Sequence, residues 1–365
     1  MSTAIVVGGG IGGLATALAL TRGGWSVEVF ERAPEVAEVG SGISLWTNAL
    51  RALDALGVGA AVREQAIEDV SAGIRTARGR WLSRTDVATM RARFGAPVVI
   101  HRAALLDILR AAIPNVMVRT GISVTEAGTD GSVVHSGGVA TAELVVGADG
   151  IRSVVRRAVC GDVPARYAGY TAWRAVVDID EPLTEFGETW GRGARFGMAP
   201  LADGRVYCFA VYNAPENAPG SFAEVRARFA DWHHPIPALL AAADENAVLH
   251  NDIYELPPLP TFSAGRIALV GDAAHAMTPN LGQRGCQALE DAVVLARLAG
   301  EPDGLARYDR ERRPRTQMIA ARSARIGTIG QLSAAPLVAM RDTALRITPT
   351  SVSLRAMGEI LDWTC

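Results

Sequence analysis

Six residues near the N-terminus, Gly8-Gly9-Gly10-Ile11-Gly12-Gly13, restrict the fold more than any other part of the chain. They follow a short apolar run at residues 4–7, which reads as a buried parallel strand. Helical spacing through Leu14, Leu18 and Leu20 comes next, and an alternating run at 27–31 supplies a second strand. The chain therefore opens with a βαβ unit. In such a unit each glycine has a task. Gly8 makes the tight turn, Gly10 lets the backbone approach a pyrophosphate, and Gly13 lets the helix pack on the strand. The helix N-terminus then faces the phosphates. Glu31, with Arg32 beside it, ends the second strand, where its carboxylate can accept from a ribose diol and repel a 2′-phosphate. The pattern predicts dinucleotide binding.

Further nucleotide-domain elements recur along the chain. Residues 103–111 read as a helix, with strands near 116–118 and 133–135. Apolar strands at 144–146 and 267–270 each end in a glycine-aspartate turn and lead towards helices, the second near 286–298. Between them the composition shifts: residues 166–262 hold 14 of the 21 aromatic side chains, in short alternating runs with turns at Asp203-Gly204 and 217–220. The expected fold is mixed α/β. A discontinuous Rossmann-like domain (1–70, 98–165 and 263–325) carries an inserted, mostly antiparallel sheet domain (71–97 and 166–262). A helical extension (326–365) completes it. At 365 residues the length suits two domains.

Charge excludes several functions. A net charge of −2 offers no footprint for nucleic acid or an anionic membrane, and no run is long enough to span a bilayer. All 36 basic residues are arginines, so no lysine is present for Schiff-base chemistry. The four cysteines (Cys160, Cys208, Cys286 and Cys365) form no metal-ligand pattern and read as free thiols. His233-His234 reads as surface, and the arginines at 307, 310, 312, 313 and 315 as a solvated helix face. A cytoplasmic protein, monomeric or homodimeric, is expected.

The glycine turn alone does not separate FAD from NAD; the rest of the chain carries further motifs. Arg102 lies in His101-Arg102-Ala103-Ala104-Leu105, followed by Gly147-Ala148-Asp149-Gly150-Ile151-Arg152-Ser153 and by Gly271-Asp272-Ala273-Ala274-His275 through Pro279. In this order and spacing, over residues 3–325, the chain resembles the single-component FAD-dependent aromatic hydroxylases, the p-hydroxybenzoate hydroxylase-like flavoprotein monooxygenases. It is most similar to the compact branch with urate hydroxylase, zeaxanthin epoxidase-like and 3-hydroxybenzoate hydroxylase-like enzymes. The resemblance implies non-covalent FAD, NADH or NADPH as transient reductant, O2, and a small aromatic or heteroaromatic substrate hydroxylated or epoxidised through a flavin C4a-hydroperoxide. It also implies that Glu31 holds the adenosine ribose, Arg102 the ribityl–phosphate region and Asp272 the ribityl chain, with Asp149 and Gly150 bordering FAD and the nicotinamide. Backbone N–H groups around Gly285 and Cys286 would face the flavin N1–C2=O edge, with Pro279 and Arg284 near the ring.

Arg284 departs from this pattern, since relatives of the compact branch usually carry glycine there. If the position is left-handed, arginine costs about 1–2 kcal/mol. It can tune the flavin, receive an anionic substrate, or obstruct the site. On the substrate side, Arg195 and Tyr207 match positions that touch substrate in urate-hydroxylating members, and they share a face only if the turn between them keeps register. Arg195 can equally be structural. Trp46 either walls the pocket or packs in the core, and Trp173 reads as core. No catalytic dyad is evident. Two competing functions remain: a flavin-dependent reductase or desaturase of the geranylgeranyl reductase type, and an FAD- or ligand-binding protein that has lost turnover.

Overall fold

The computed structural model describes residues 1–35, 41–68, 73–113, 115–179, 183 and 186–365. A six-stranded sheet forms on the opening strand. Its order is Ser263–Ala264, Ile267–Leu269, Leu144–Gly147, Thr3–Val7, Ser26–Phe30 and Met117–Arg119. All pairings but the first are parallel. Its central strands are continuous apolar runs because helices cover both faces. Ile11–Arg22 packs against Arg284–Leu298, and Val6, Leu14, Leu20, Val146, Leu289 and Leu295 lie in one buried cluster with them.

The aromatic-rich segment builds a seven-stranded sheet. Its order is Leu249–Glu255, Arg166–Val177, Val206–Asn213, Ala194–Pro200, Gly187–Trp190, Gly73–Thr76 and Trp81–Arg84. Only the pairing of Gly187–Trp190 with Gly73–Thr76 is parallel. Alternation along the strands gives it two distinct faces. One face (Trp173, Phe196, Cys208 and Ala210) packs on the short helices Phe222–Arg228 and Ile236–Ala242. The other turns Tyr170, Arg195, Phe209 and Val211 towards the parallel-sheet unit. Register holds across the Asp203-Gly204 turn: Arg195 pairs with Val211, and Ala199 with Tyr207. Arg195 and Tyr207 therefore share a face, with about 13 Å of strand between their levels at ~3.3 Å per residue.

Some segments differ from the sequence expectation. Among the described residues of 71–97, Gly73–Thr76 and Trp81–Arg84 join the sheet. Val87–Phe94 is a helix capped by Asp86, and its Met90 and Phe94 pack with Met277, Ile319, Leu354 and Ile360. The expected boundary at 70/71 lies outside the described residues. The helix Gly304–Gly330 runs through 325 and 326 without a break and is followed by Ala335–Ile347 and Thr350–Leu361. Trp173 is core, donating its indole N–H to the Tyr212 hydroxyl (3.2 Å). His233 is half-buried rather than surface, its Nε2 2.8 Å from the Thr189 hydroxyl.

The arginine-rich helix is the clearest correction. Arg312 is wholly buried, with Nε 2.7 Å from Asp291 Oδ1 and one terminal nitrogen 2.5 Å from Glu290 Oε2. Arg315 also donates to Glu290, at 2.7 and 2.9 Å. One face of this helix is an ionic core contact. Residues 307 and 310 stay at least partly solvent-facing, as the polar spacing suggested.

Candidate functional site

The glycine turn behaves as its spacing predicts. Gly8 has φ +110°, and a Cβ there would collide with the Ala148 carbonyl. A Cβ on Gly13 would collide with the Gly8 carbonyl oxygen, so strand and helix meet only because neither residue has a side chain. Gly10, the N-cap of Ile11–Arg22, has open space where a Cβ would stand. This is the geometry of a backbone that a pyrophosphate can approach, and FAD fits it. Glu31 is bound at the adjacent strand end, accepting from the Gly9 N–H (2.6 Å) and the Ala33 N–H (2.8 Å). Its carboxylate is thereby locked next to the glycine turn. Arg32 is exposed beside it.

Asp149 has a specific local task. It accepts from the Ser153 hydroxyl (2.5 Å) and from the N–H groups of Val154 and Val155 (2.7 and 3.2 Å), which start the helix Val155–Cys160. The Asp149-Gly150 turn nevertheless lies against the glycine turn, since a Gly8 Cβ would stand 3.1 Å from the Asp149 Cα. Asp149 thus borders the cradle while its carboxylate is used for capping.

Asp272 begins the short helix Asp272–His275 after Gly271, whose φ is +59°. Its carboxylate receives the Arg284 guanidinium through two contacts, one of them from Nε at 3.2 Å. Burial alone would raise the Asp272 pKa, but Arg284, with help from His275 and Arg102, holds it below the usual carboxylate range. Arg284, Asp272 and Arg102 therefore converge. Arg102 opens the helix Arg102–Ala111, and its N–H donates to the Ser41 carbonyl (2.9 Å).

Arg284 is the first residue of the helix Arg284–Leu298, and positive φ among non-glycine residues occurs only at Asn217 and Asp303 among the described residues. The strain considered for an arginine here is absent. The left-handed residue is Gly282, at φ +62°, where a Cβ would lie 2.9 Å from Trp46 Nε1. Trp46 thus stands against the turn that carries Pro279 and packs on the apolar cluster of Met277 and Leu281. Gly285 lets this helix approach the strand Gly42–Leu45, since a Cβ would lie 2.8 Å from Ile43 Cδ1. Cys286 is fully buried beneath, its thiol pushed up to about 12 by burial, so it is an inert packing residue.

The inward face of the sheet meets the same turn. Arg195 is buried between Tyr170 and Trp190. It donates to Asn280 Oδ1 (2.6 Å) and Gln331 Oε1 (3.2 Å), and lies 3.7 Å from Glu188. Asn280 Nδ2 in turn donates to the Tyr170 hydroxyl (3.1 Å) and the Thr278 hydroxyl (2.9 Å). Burial raises the Tyr170 pKa, so the phenol keeps its proton at neutral pH. At the other end Tyr207 packs its ring against the Gly42 backbone, where a Cβ would come within 2.9 Å, and burial raises its pKa as well. Asn280 lies in the segment 278–291 whose sequence points to the flavin ring, but its own role and that of Tyr170 are not marked by any motif; their signal is spatial.

The chain belongs to the FAD binding domain family, whose model matches residues 1–323. It is 41% identical over 359 residues, 94% of each chain, to the aurachin C monooxygenase/isomerase of Stigmatella aurantiaca. It is 34% identical to the 2-heptyl-3-hydroxy-4(1H)-quinolone synthase of Pseudomonas aeruginosa, covering 96% of this chain and 95% of that one. The solved structure of Klebsiella pneumoniae HpxO with FAD and uric acid superposes with a TM-score of 0.89 at 30% identity, over 99% of this chain and 96% of that one. The protein is an FAD-dependent monooxygenase of the aromatic hydroxylase type. No helix among the described residues is long and apolar enough to cross a membrane.

Proposed function

We propose that the substrate is a neutral aromatic or heteroaromatic compound with an apolar flank, hydroxylated or epoxidised at the expense of NAD(P)H and O2. The observation that carries this is the state of Arg195. Its guanidinium is occupied by Asn280, Gln331 and Glu188, so this cation is not presented to an anionic ligand. The wall beside it is apolar, with Phe209 and Val211 on the same face. The Tyr170 hydroxyl accepts from Asn280 and keeps its own proton to donate to a carbonyl or ring nitrogen of the substrate. A relative named for a heptyl quinolone fits the same description.

FAD supplies the oxygen chemistry when bound, and the protein positions, desolvates and orients. Gly8, Gly10 and Gly13 shape the pyrophosphate turn, and Glu31 would hold the adenosine ribose. Asp272, Arg102 and Arg284 would line the ribityl end. The start of Arg284–Leu298, at Gly285 and Cys286, offers backbone N–H groups and the positive end of a helix to the flavin. Trp46, Pro279 and the inward sheet face exclude water.

The test is NAD(P)H oxidation with bound FAD, screened against alkyl-substituted quinolones, urate and carboxylated phenols. Faster oxidation and one atom of oxygen-18 in the product are expected with the first group. Turnover only with urate or the carboxylated phenols would refute the substrate class, and reduction without label would move the enzyme to the reductase type. Glu31→Ala should weaken FAD binding by about 1.5 kcal/mol, roughly tenfold, the low end for bonds to a charged acceptor because part of this carboxylate serves Gly9 and Ala33. Titration of FAD into apoprotein measures it; an unchanged Kd would remove Glu31 from the ribose site.

A further inference from the structure

A buried ionic network lies directly behind the cofactor cradle. Arg312 is at its centre, bonded to Asp291 and Glu290 and, through its other terminal nitrogen, to Gln287 Oε1 (2.8 Å). Asp291 Oδ2 accepts from the Gly271 N–H (2.9 Å) and lies 2.6 Å from His275 Nε2. Glu290 Oε1 accepts from Asn48 Nδ2 (2.6 Å) and from Gln287 Nε2 (3.0 Å). Gln283 Oε1 joins the same two amides, at 2.9 and 3.0 Å.

Each branch ends at a different wall of the cradle. The Asp291 branch holds the backbone of Gly271 in its left-handed turn, and Asp272 follows directly. The Glu290 branch holds Asn48, two residues after Trp46. The glutamine branch holds Gln283, the N-cap of the helix that Arg284 opens. Three separate chain segments are thus tied to one guanidinium. A buried ion pair contributes little net stability compared with a well-packed apolar substitute, whereas its fixed geometry can specify one arrangement. Arg312 also meets the first turn of the Arg284–Leu298 helix directly, through Gln287 Oε1 and the Gln287 carbonyl, so its influence on the cradle passes through the two carboxylates and through Gln287.

We propose that Arg312 is a positioning residue for FAD: through Asp291, Glu290 and Gln287 it sets the relative placement of Asp272, Trp46 and the start of the Arg284–Leu298 helix. This rests on the assignment of the cradle to FAD, which the wild-type chain tests separately. The variant is Arg312→Lys, which keeps the charge but loses the planar fork that reaches both carboxylates at once. FAD is titrated into wild-type and variant apoprotein at a temperature where far-UV circular dichroism shows both folded, and the visible circular dichroism of the bound flavin is recorded. Expected are a Kd at least tenfold weaker and an altered flavin signal. A Kd within threefold of wild type, with an unchanged flavin signal, would make Arg312 a stability residue only and overturn the proposal. Should the lysine variant not fold, Asp291→Asn poses the same question, because asparagine can still accept from Gly271 but loses the ionic bond. The same limits then apply. Failure of the wild-type chain to bind FAD would instead refute the assignment of the site.

Discussion

Truncation of Arg312 to alanine is expected to lower the unfolding free energy of the apoprotein by about 3–5 kcal/mol at pH 7, because it leaves buried carboxylates without their counter-ion. Glu290 and Asp291 are both fully buried. Burial by itself would raise the Asp291 pKa, but His275 and Arg312 reverse this and bring it to about 2. Burial likewise opposes ionisation of Glu290, and Arg312 and Arg315 pull its pKa below the usual range. In the native protein the depressed Asp291 value contributes stability that is present above the unfolded value of about 3.9 and is lost as pH falls towards 2.

Without Arg312 the burial penalty acts with less opposition, and the folded variant takes up protons more readily than the folded wild type. The deficit of Arg312→Ala should therefore shrink as pH falls from 7 towards 4. Urea unfolding at several pH values measures this. A deficit below 1 kcal/mol, or one that grows on acidification, would show that the carboxylates find other compensation. Arg315 already serves Glu290, so Asp291 should account for most of the pH-dependent part.

This network also shows where the sequence stops being informative. The glycine turn, the second strand and Glu31 lie within the first 31 residues, where spacing alone specifies the contacts. The inserted sheet was legible because aromatic and alternating residues concentrate there, and register carried Arg195 and Tyr207 to one face. Arg312 was misread because its partners lie on another helix, 21 and 22 residues away. A polar spacing looks the same whether water or two carboxylates meet it. The available hint was on the other side: Glu290-Asp291 interrupts the apolar stretch 288–296 of its helix, and adjacent carboxylates on a buried helix require a cation. Gly282 was missed for a different reason. The run Gly282-Gln283-Arg284-Gly285 does not reveal which member is left-handed, and the structure assigns that conformation to the glycine before the helix, leaving Arg284 unstrained.

Arg284→Gly is expected to lower the two-electron potential of the bound flavin by roughly 20–40 mV. The guanidinium is paired with Asp272 rather than standing alone, so the pair is nearly neutral. Removing arginine leaves the Asp272 carboxylate uncompensated, and at the ribityl end proposed for it that negative charge would disfavour adding electrons to the flavin. A unit charge about 8 Å away at an effective dielectric of 20 is worth about 2 kcal/mol, and about 1.4 kcal/mol corresponds to 30 mV for two electrons. The sign is tested by a double-mutant cycle. Asp272→Asn should raise the potential by a similar amount, because it leaves Arg284 as the unbalanced charge, and the double variant should return close to wild type. Potentials are measured by equilibration with a reference dye at fixed pH and ionic strength. Two single shifts of the same sign, or a double variant equal to the larger single shift, would show that the two side chains do not act on the flavin as one pair. If Arg284→Gly instead increases substrate-stimulated turnover and leaves the potential unchanged, the side chain obstructs the pocket, and the charge argument fails at that residue.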